Sequence, residues 1–265
     1  MDENDRNIHG VLFDLDGVLY VDSQPIPGAV EAVAKIKASG VSCRFVTNTS
    51  TLSLAALERK IIALGFPVER SEILSAPQAV LRHLQTTGMR AHLLLEDDVR
   101  ADFAGVPQAS MEDADALVLG DTGAVWTHDC LDRMFNAIMR GAQLIAVHKN
   151  RFWQTGRGLR MDIGGLVAAL EYCAGVRALV MGKPSADFFA VALRDMGLPP
   201  ERTAIVGDDI EADIGGGQSA GLYGILVRTG KFRPSQLETG SVRPDRIIDS
   251  IADLPDLLGI STRLP

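Results

Sequence analysis

The sequence is poor in cysteine, in aromatic residues and in long apolar runs. Its 265 residues include three cysteines, which lie far apart and form no CxxC pair. This spacing disfavours both a disulfide framework and a structural zinc site. No uninterrupted apolar run reaches the ~18 residues of a membrane span, and the polar, acidic first ten residues are unlike a secretory signal. We therefore expect a reduced, cytoplasmic protein with no membrane partner.

Positive charge is also in deficit. The chain has 26 Lys and Arg residues against 34 Asp and Glu, which gives a formal net charge of −8. A net acidic chain argues against nucleic acid and anionic membranes as partners. Hydrophobic residues make up 46% of the sequence, enough to bury a core without a disulfide or a metal to stabilise it.

Short apolar runs alternate along the chain with amphipathic stretches. Apolar residues at helical spacing predict helices over 27–38, 53–64, 127–140 and 185–196. Apolar runs rich in β-branched residues predict strands over 11–15, 43–46, 91–95, 116–119, 144–147, 178–181, 204–206 and 224–227. This alternation predicts an α/β fold, a Rossmann-like doubly wound parallel sheet with helices on both faces.

Polar residues that could bind a ligand or take part in catalysis lie at or just after the ends of four of the predicted strands. They are Asp14, Asp16, Thr47, Asn48, Lys183, Asp208 and Asp209. Because the carboxyl ends of parallel strands meet at one edge of a sheet, where ligands bind in such folds, we expect these side chains to lie together. A single aspartate at a strand end is ordinary loop chemistry, so the prediction depends on their coincidence.

Such a site has a definite electrostatic requirement. If Asp14, Asp16 and Asp208 converge, their negative charges are costly unless a cation neutralises them. Oxygen ligands of this kind suit Mg²⁺. The cation and the Lys183 ammonium would together favour a phosphoryl group, to which the Thr47 hydroxyl can donate a hydrogen bond. The residues therefore predict a magnesium site that binds a small phosphate compound.

The motifs also resemble those of a known family. The D-x-D-G sequence at 14–17, Thr47, Lys183 and G-D-D at 207–209 occur in the order of the four motifs of the haloacid dehalogenase (HAD) superfamily of phosphatases. The long stretch between the second and third motifs is similar to the NagD-like subclass IIA, in which an α/β cap is inserted there. The resemblance implies a HAD-fold core over 1–77 and 178–265 and a cap of type C2 over 78–177.

The resemblance implies a role for each matching position. Asp14 corresponds to the nucleophile that becomes an aspartyl phosphate. Asp16 corresponds to the general acid and base, and its main-chain carbonyl would also be a Mg²⁺ ligand. Thr47 and Asn48 match the pair that binds the phosphoryl group, and Lys183 matches the residue that balances its charge.

The last motif implies the remainder of the site. Asp208 corresponds to a metal ligand, so that the implied metal set is Asp14, Asp16 and Asp208. Asp209 and Asp213 correspond to residues that hold the ligands or the motif lysine in place.

Four segments, 45–48, 180–185, 207–210 and 227–234, resemble more narrowly the phosphatases that act on phospholysine, phosphohistidine and inorganic pyrophosphate. In those relatives the position that matches Asp16 is not always acidic. An acid here favours ordinary phosphate monoesters, because their leaving alkoxide needs a proton. Phosphoramidate and pyrophosphate hydrolysis is the alternative specificity.

A basic segment at 148–160 lies within the predicted cap. It contains four Lys and Arg residues, among them Arg151 and Arg157, together with Trp153, and it has no acidic residue. One interpretation is a solvated loop; the other is that these three residues contact the leaving group and select the substrate. We also expect that the chain can form a homodimer through the cap.

A non-catalytic binding module stays open as an alternative function, whereas a serine hydrolase is excluded. A non-catalytic phosphate-binding regulatory module would keep the acidic site and Mg²⁺ but release no phosphate. The G-x-S-x-G sequence at 217–221 matches a serine-hydrolase elbow, but it precedes a predicted strand instead of following one, and no histidine comes after it.

Overall fold

The computed structural model describes residues 7–122, 126–155 and 158–260. The strands are β1 Gly10–Asp14, β2 Tyr20–Val21, β3 Gln24–Pro25, β4 Ser42–Thr47, β5 Ile73–Ser75, β6 Ala91–Leu94, β7 Ala116–Leu119, β8 Gln143–Ala146, β9 Phe152–Thr155, β10 Gly158–Met161, β11 Leu179–Val180, β12 Thr203–Gly207, β13 Tyr223–Val227 and β14 Arg246–Ile248. The helices are α1 Ala29–Ala38, α2 Leu54–Ala63, α3 Ala76–Thr87, α4 Asp97–Arg100, α5 His128–Met139, α6 Ile163–Ala174, α7 Ala186–Met196, α8 Gly216–Ser219, α9 Ser235–Thr239 and α10 Leu254–Leu257. A π-helical segment, Ile210–Gly215, precedes α8.

The chain divides into two compact units. Among the described residues, the first comprises 7–47, 58–74 and 183–260. Its six-stranded sheet has the order β14-β13-β12-β1-β4-β5, and β1 pairs in parallel with both β12 and β4. The chain builds this sheet outward from β1 on one side and then from β12 on the other. The strand order therefore reverses between β1 and β12, the place where ligands bind in such sheets.

Continuous apolar strands form the centre of the first unit. Every residue of β1 and of β12 is buried, as expected for parallel strands that are covered on both faces. The rings of Phe13 and Phe45, on neighbouring strands, are stacked with centroids 5.6 Å apart. This packing adds to the strand pairing that holds the ends of β1 and β4 together.

The second unit comprises 48–57 and 75–182, without the residues that are not described. It has a four-stranded sheet with the order β11-β8-β7-β6, in which all neighbours are parallel. An antiparallel hairpin of β9 and β10 belongs to the same unit. Apolar faces of α5 and α6 cover the sheet, with Met134 and Val167 fully buried in its core.

The predicted α/β class and parallel sheets are confirmed. The predicted strands and helices are present, with ends that differ by no more than two residues. The boundaries expected at 77/78 and 177/178 have counterparts at 74/75 and 182/183, and residues 48–57 are grouped with the second unit. No helix in the described ranges is long and apolar enough to cross a membrane.

The sequence patterns did not predict β5, β14, the two hairpins, α3 or α6. The strands among these have two to four residues, too few to show a period. Helix α6 is apolar around most of its circumference and contains two glycines, so its helical periodicity is weak.

Candidate active site

Two buried carboxylates lie at the point where the strand order reverses. Asp14 is the last residue of β1, and Asp208 directly follows β12. The register pairs Phe13 with Val206, so both chains leave the sheet at the same edge. Asp14 is 6% exposed and Asp208 1%. Burial of two carboxylates side by side requires a compensating positive charge.

A third carboxylate comes from the segment that follows Asp208. The Asp209 side chain accepts hydrogen bonds from the backbone N–H groups of Glu211 and Ala212, which caps the π-helical segment Ile210–Gly215. Within that segment Asp213 turns back toward the sheet, and its Oδ2 accepts a hydrogen bond from the Asp209 backbone N–H at 3.1 Å. One carboxylate oxygen from each of Asp14, Asp208 and Asp213 lies within 4.8 Å of the others.

Lys183 provides a positive charge inside this cluster. Its ammonium lies 2.6 Å from Asp14 Oδ1 and 2.6 Å from Asp213 Oδ1, and it is 3.5 Å from the main-chain oxygen of Val46. Burial by itself lowers the pKa of Lys183, but the two carboxylates raise the pKa above its usual value. The lysine is therefore a permanent cation.

One ammonium does not balance three carboxylates. Burial, reinforced by the charges of Asp14 and Asp213, raises the pKa of Asp208 to about 8. Burial and the Asp14 charge likewise raise the pKa of Asp213 to about 7, against the lowering effect of Lys183. Asp208 Oδ1 is buried and has no hydrogen-bond partner in the described parts of the chain. A hard divalent cation fits this oxygen-only donor set, because it would balance the remaining charge and use the free oxygen.

Three predicted residues remain, of which Asp16 and Thr47 belong to the first unit and Asn48 to the second. The Asp16 side chain is exposed, two residues beyond Asp14. It is outside the three-carboxylate cluster, so its predicted part in binding a cation depends on its main-chain carbonyl. Thr47 ends β4 and is buried. The next residue, Asn48, is half-buried and is grouped with the second unit.

The predicted residues of the basic segment are placed only in part. Arg151 is exposed and immediately precedes β9. The side chain of Trp153 and the whole of Arg157 lie outside the described residues. The roles predicted for these three residues, and the catalytic and binding roles predicted for the others, stay predictions.

A turn that the sequence analysis left without a role contacts the site. The backbone N–H of Lys231 donates to Asp208 Oδ2 at 2.7 Å, and the Thr229 hydroxyl donates to the main-chain oxygen of Gly17 at 2.5 Å. The turn follows β13, the parallel neighbour of β12. The rule that selected Asp14 and Asp208 at strand ends therefore applies to Thr229 as well.

Comparison with protein families finds two matching regions. Residues 11–106 match a model for haloacid dehalogenase-like hydrolases, and residues 180–254 match a HAD-hydrolase-like model. The chain is 37% identical over 257 residues to the mouse (Mus musculus) phospholysine phosphohistidine inorganic pyrophosphate phosphatase, which covers 95% of this chain and 94% of the relative.

Solved structures are also similar to this chain over more than nine-tenths of its length. A 4-nitrophenylphosphatase from Thermotoga maritima superposes with a TM-score of 0.88 at 27% identity, covering 97% of this chain and 99% of the other. NagD from E. coli K-12 superposes with a TM-score of 0.83 at 28% identity, covering 93% and 98%. The similarity extends over both compact units.

Proposed function

The chain belongs to the haloacid dehalogenase-like hydrolase family and is a phosphatase, and we propose that it uses Mg²⁺ to hydrolyse small phosphate monoesters through an aspartyl phosphate on Asp14. The observation that carries the proposal is the buried cluster of Asp14, Asp208 and Asp213 around Lys183. Hydrolysis of phosphate monoesters is among the slowest uncatalysed reactions. Positioning and charge stabilisation have to supply most of the acceleration.

The chain's own groups provide the ligands for the cation. Asp14 and Asp208 would hold it with carboxylate oxygens, and Asp16 with its main-chain carbonyl. A bound Mg²⁺ supplies positive charge that lowers the repulsion between a phosphoryl group and the acidic site. Asp213 is engaged with Lys183 at 2.6 Å, which suits a residue that keeps the lysine in place.

Asp14 is the proposed nucleophile. One carboxylate oxygen is held by Lys183 at 2.6 Å, which limits rotation of the carboxylate and leaves the other oxygen to attack phosphorus. The new O–P bond forms as the bond between phosphorus and the leaving oxygen breaks. Water then attacks the phosphorus of the aspartyl phosphate, inorganic phosphate leaves, and the Asp14 carboxylate is regenerated.

Asp16 is the proposed proton donor and acceptor. Its exposed side chain is accessible to a substrate oxygen, unlike the buried Asp14. In the first half-reaction it would give its proton to the leaving oxygen, and in the second it would take a proton from the attacking water. Thr47 and Asn48 would donate hydrogen bonds to the phosphoryl oxygens.

Two specificities are open to this site. The presence of an acid at position 16 favours phosphate monoesters of poor leaving groups. The 37% identity over most of the chain to a relative named for phospholysine, phosphohistidine and pyrophosphate supports phosphoramidate or pyrophosphate hydrolysis as the second candidate. A non-catalytic phosphate-binding module is the alternative without chemistry.

The partner that we propose is the small phosphate compound itself, with no nucleic acid and no membrane, together with a second copy of the chain bound through the cap. A cytoplasmic location is supported by the free thiols of Cys43, Cys130 and Cys173, since disulfides are rare in that compartment. Sedimentation of the purified protein tests the dimer.

The deciding experiment measures release of inorganic phosphate from a panel of compounds. The panel contains sugar phosphates, nucleotides, pyridoxal phosphate, pyrophosphate and phosphoamino acids, each with Mg²⁺ and with EDTA. We expect Mg²⁺-dependent release by the wild-type chain, none by Asp14→Asn, and normal release by Asp97→Asn, which changes a fully exposed carboxylate. Binding without release from any compound would support the non-catalytic module.

Asp16→Asn separates the role of the acid from that of the nucleophile. A nitrophenolate is a good leaving group that needs little protonation, whereas an alkoxide needs a proton. We expect this variant to lose more activity on alkyl phosphates than on 4-nitrophenyl phosphate. Equal loss on both would remove Asp16 from the protonation step.

A further inference from the structure

The turn formed by Thr229, Gly230 and Lys231 (the 229–231 turn) crosses the loop that follows Asp14. It makes two contacts at this crossing. The Thr229 hydroxyl donates to the main-chain oxygen of Gly17 at 2.5 Å, and the backbone N–H of Lys231 donates to Asp208 Oδ2 at 2.7 Å. The turn therefore joins two strand-end loops that each carry a carboxylate of the site.

The two carboxylate oxygens of Asp208 have different surroundings. Oδ2 is held by the Lys231 amide, whereas Oδ1 is buried without a hydrogen-bond partner in the described residues. A carboxylate that can rotate freely presents either oxygen. Here the amide fixes the rotation, so that the same oxygen is always left for another ligand.

The crossing leaves no room for side chains. Gly17 and Gly230 both have positive φ, 86° and 60°, a region that favours glycine. A Cβ on either glycine would overlap the Asp208 carboxylate and the backbone of the other glycine. The two loops are thus in direct backbone contact, and Thr229 supplies the hydrogen bond that holds them there.

We propose that Thr229 is a positioning residue for the Asp208 carboxylate and, through it, for the divalent cation of the site. The inference rests on the proposed function, because it assumes that Asp208 Oδ1 is a cation ligand. Without the hydroxyl, the turn can move away from Gly17, the Lys231 amide leaves Oδ2, and the Asp208 carboxylate can rotate. Loss of a group that orients a metal ligand typically reduces metal affinity or activity by about 10- to 100-fold.

Thr229→Val and Thr229→Ser form the test pair. Valine keeps the shape of threonine but has no hydroxyl, whereas serine keeps the hydroxyl. The matched control is Thr203→Val. Thr203 is fully buried at the other end of β12, and its hydroxyl donates to the main-chain oxygen of Pro199 at 3.0 Å. The Thr203→Val variant therefore loses the same kind of hydrogen bond, from a threonine hydroxyl to a main-chain oxygen, at a position away from the site. Each variant is measured for Mg²⁺ affinity by calorimetry on metal-free protein, for kcat and KM, and for Tm in EDTA.

For Thr229→Val we expect Mg²⁺ affinity at least about tenfold weaker, a lower kcat at saturating substrate and about unchanged KM. Thr229→Ser should restore the affinity, and Thr203→Val should lower Tm and leave the affinity unchanged. If Thr229→Val lowers only Tm, as the control does, the positioning role is wrong. If the wild-type chain itself binds no Mg²⁺, the failure belongs to the proposed function. Should the valine variant not fold, Thr229→Ala takes its place with the same outcomes.

Discussion

Lys183 lies 2.6 Å from Asp14 although 169 positions separate them in the chain. Both side chains are almost fully buried, at 4% and 9% side-chain exposure. Such a pair holds the carboxylate in one orientation. The proposed nucleophile is therefore held by a residue that belongs to the same unit but enters the chain only after the last segment of the second unit.

Replacing Lys183 by Met should abolish turnover and destabilise the protein. Removing one partner of a buried ion pair leaves an uncompensated charge, which typically costs about 3–5 kcal/mol. We also expect kcat to fall by at least about 100-fold, because the site loses the cation that orients Asp14 and balances the charge of the phosphoryl group. Lys37→Met is the control, because its ion pair with Glu72 is partly exposed and contributes little. Activity of the Lys183 variant near the wild-type level would contradict the assignment.

The stability of the metal-free protein should fall as pH rises from about 4 to about 8. Asp208 and Asp213 have pKa values raised to about 8 and about 7, above the ~3.9 of an unfolded aspartate. The folded protein therefore binds protons that the unfolded chain releases in this interval, and it loses that advantage as they dissociate. Bound Mg²⁺ would replace the protons. The Tm increase caused by Mg²⁺ should thus be larger at pH 8 than at pH 5.

Asp208→Asn should change stability and activity in opposite directions. The amide keeps an oxygen for the Lys231 N–H but removes one of the crowded negative charges, so the metal-free Tm at pH 8 should rise. Mg²⁺-dependent hydrolysis should be lost, because the proposed ligand is neutral. The pair of readouts is thermal unfolding in EDTA and phosphate release in Mg²⁺. A fall in both would mean that Asp208 is mainly structural.

The start of α2 should depend on two aspartates from a distant segment. Asp98 Oδ2 accepts a hydrogen bond from the Ser53 backbone N–H at 2.7 Å, and Asp102 Oδ2 accepts one from Leu54 at 2.8 Å. Each Asp→Ala change should cost about 0.5–2 kcal/mol of unfolding free energy, measured by urea denaturation. Asp97→Ala, at a fully exposed neighbour, should cost less than about 0.5 kcal/mol.

Arg151→Ala should alter the choice of substrate rather than the chemistry. The residue is exposed and precedes β9, and the predicted role of its segment is contact with the leaving group. We expect the ratios of kcat/KM among the active substrates to change while the Mg²⁺ requirement does not. Arg90→Ala is the control, as Arg90 is exposed and paired with Asp115. Unchanged ratios would leave the segment as a solvated loop.

The sequence by itself determined most strands of the two parallel sheets and the residues at their ends. The apolar runs before Asp14, Thr47 and Asp208 could be interpreted locally, because a strand buried on both faces is apolar throughout. Parallel pairing then requires these ends to meet at one edge. The α/β class and the convergence of Asp14 with Asp208 needed no more than this.

Only the tertiary structure determined which charged groups meet in the site and which of their oxygens accept hydrogen bonds. Asp213 joins the cluster because the π-helical segment turns it back toward the sheet. The turn after β13 holds Asp208 Oδ2, and Oδ1 has no hydrogen-bond partner among the described residues. Side-chain direction, burial and long-range hydrogen bonds depend on which segments pack together, and a local pattern of residue types does not contain that information.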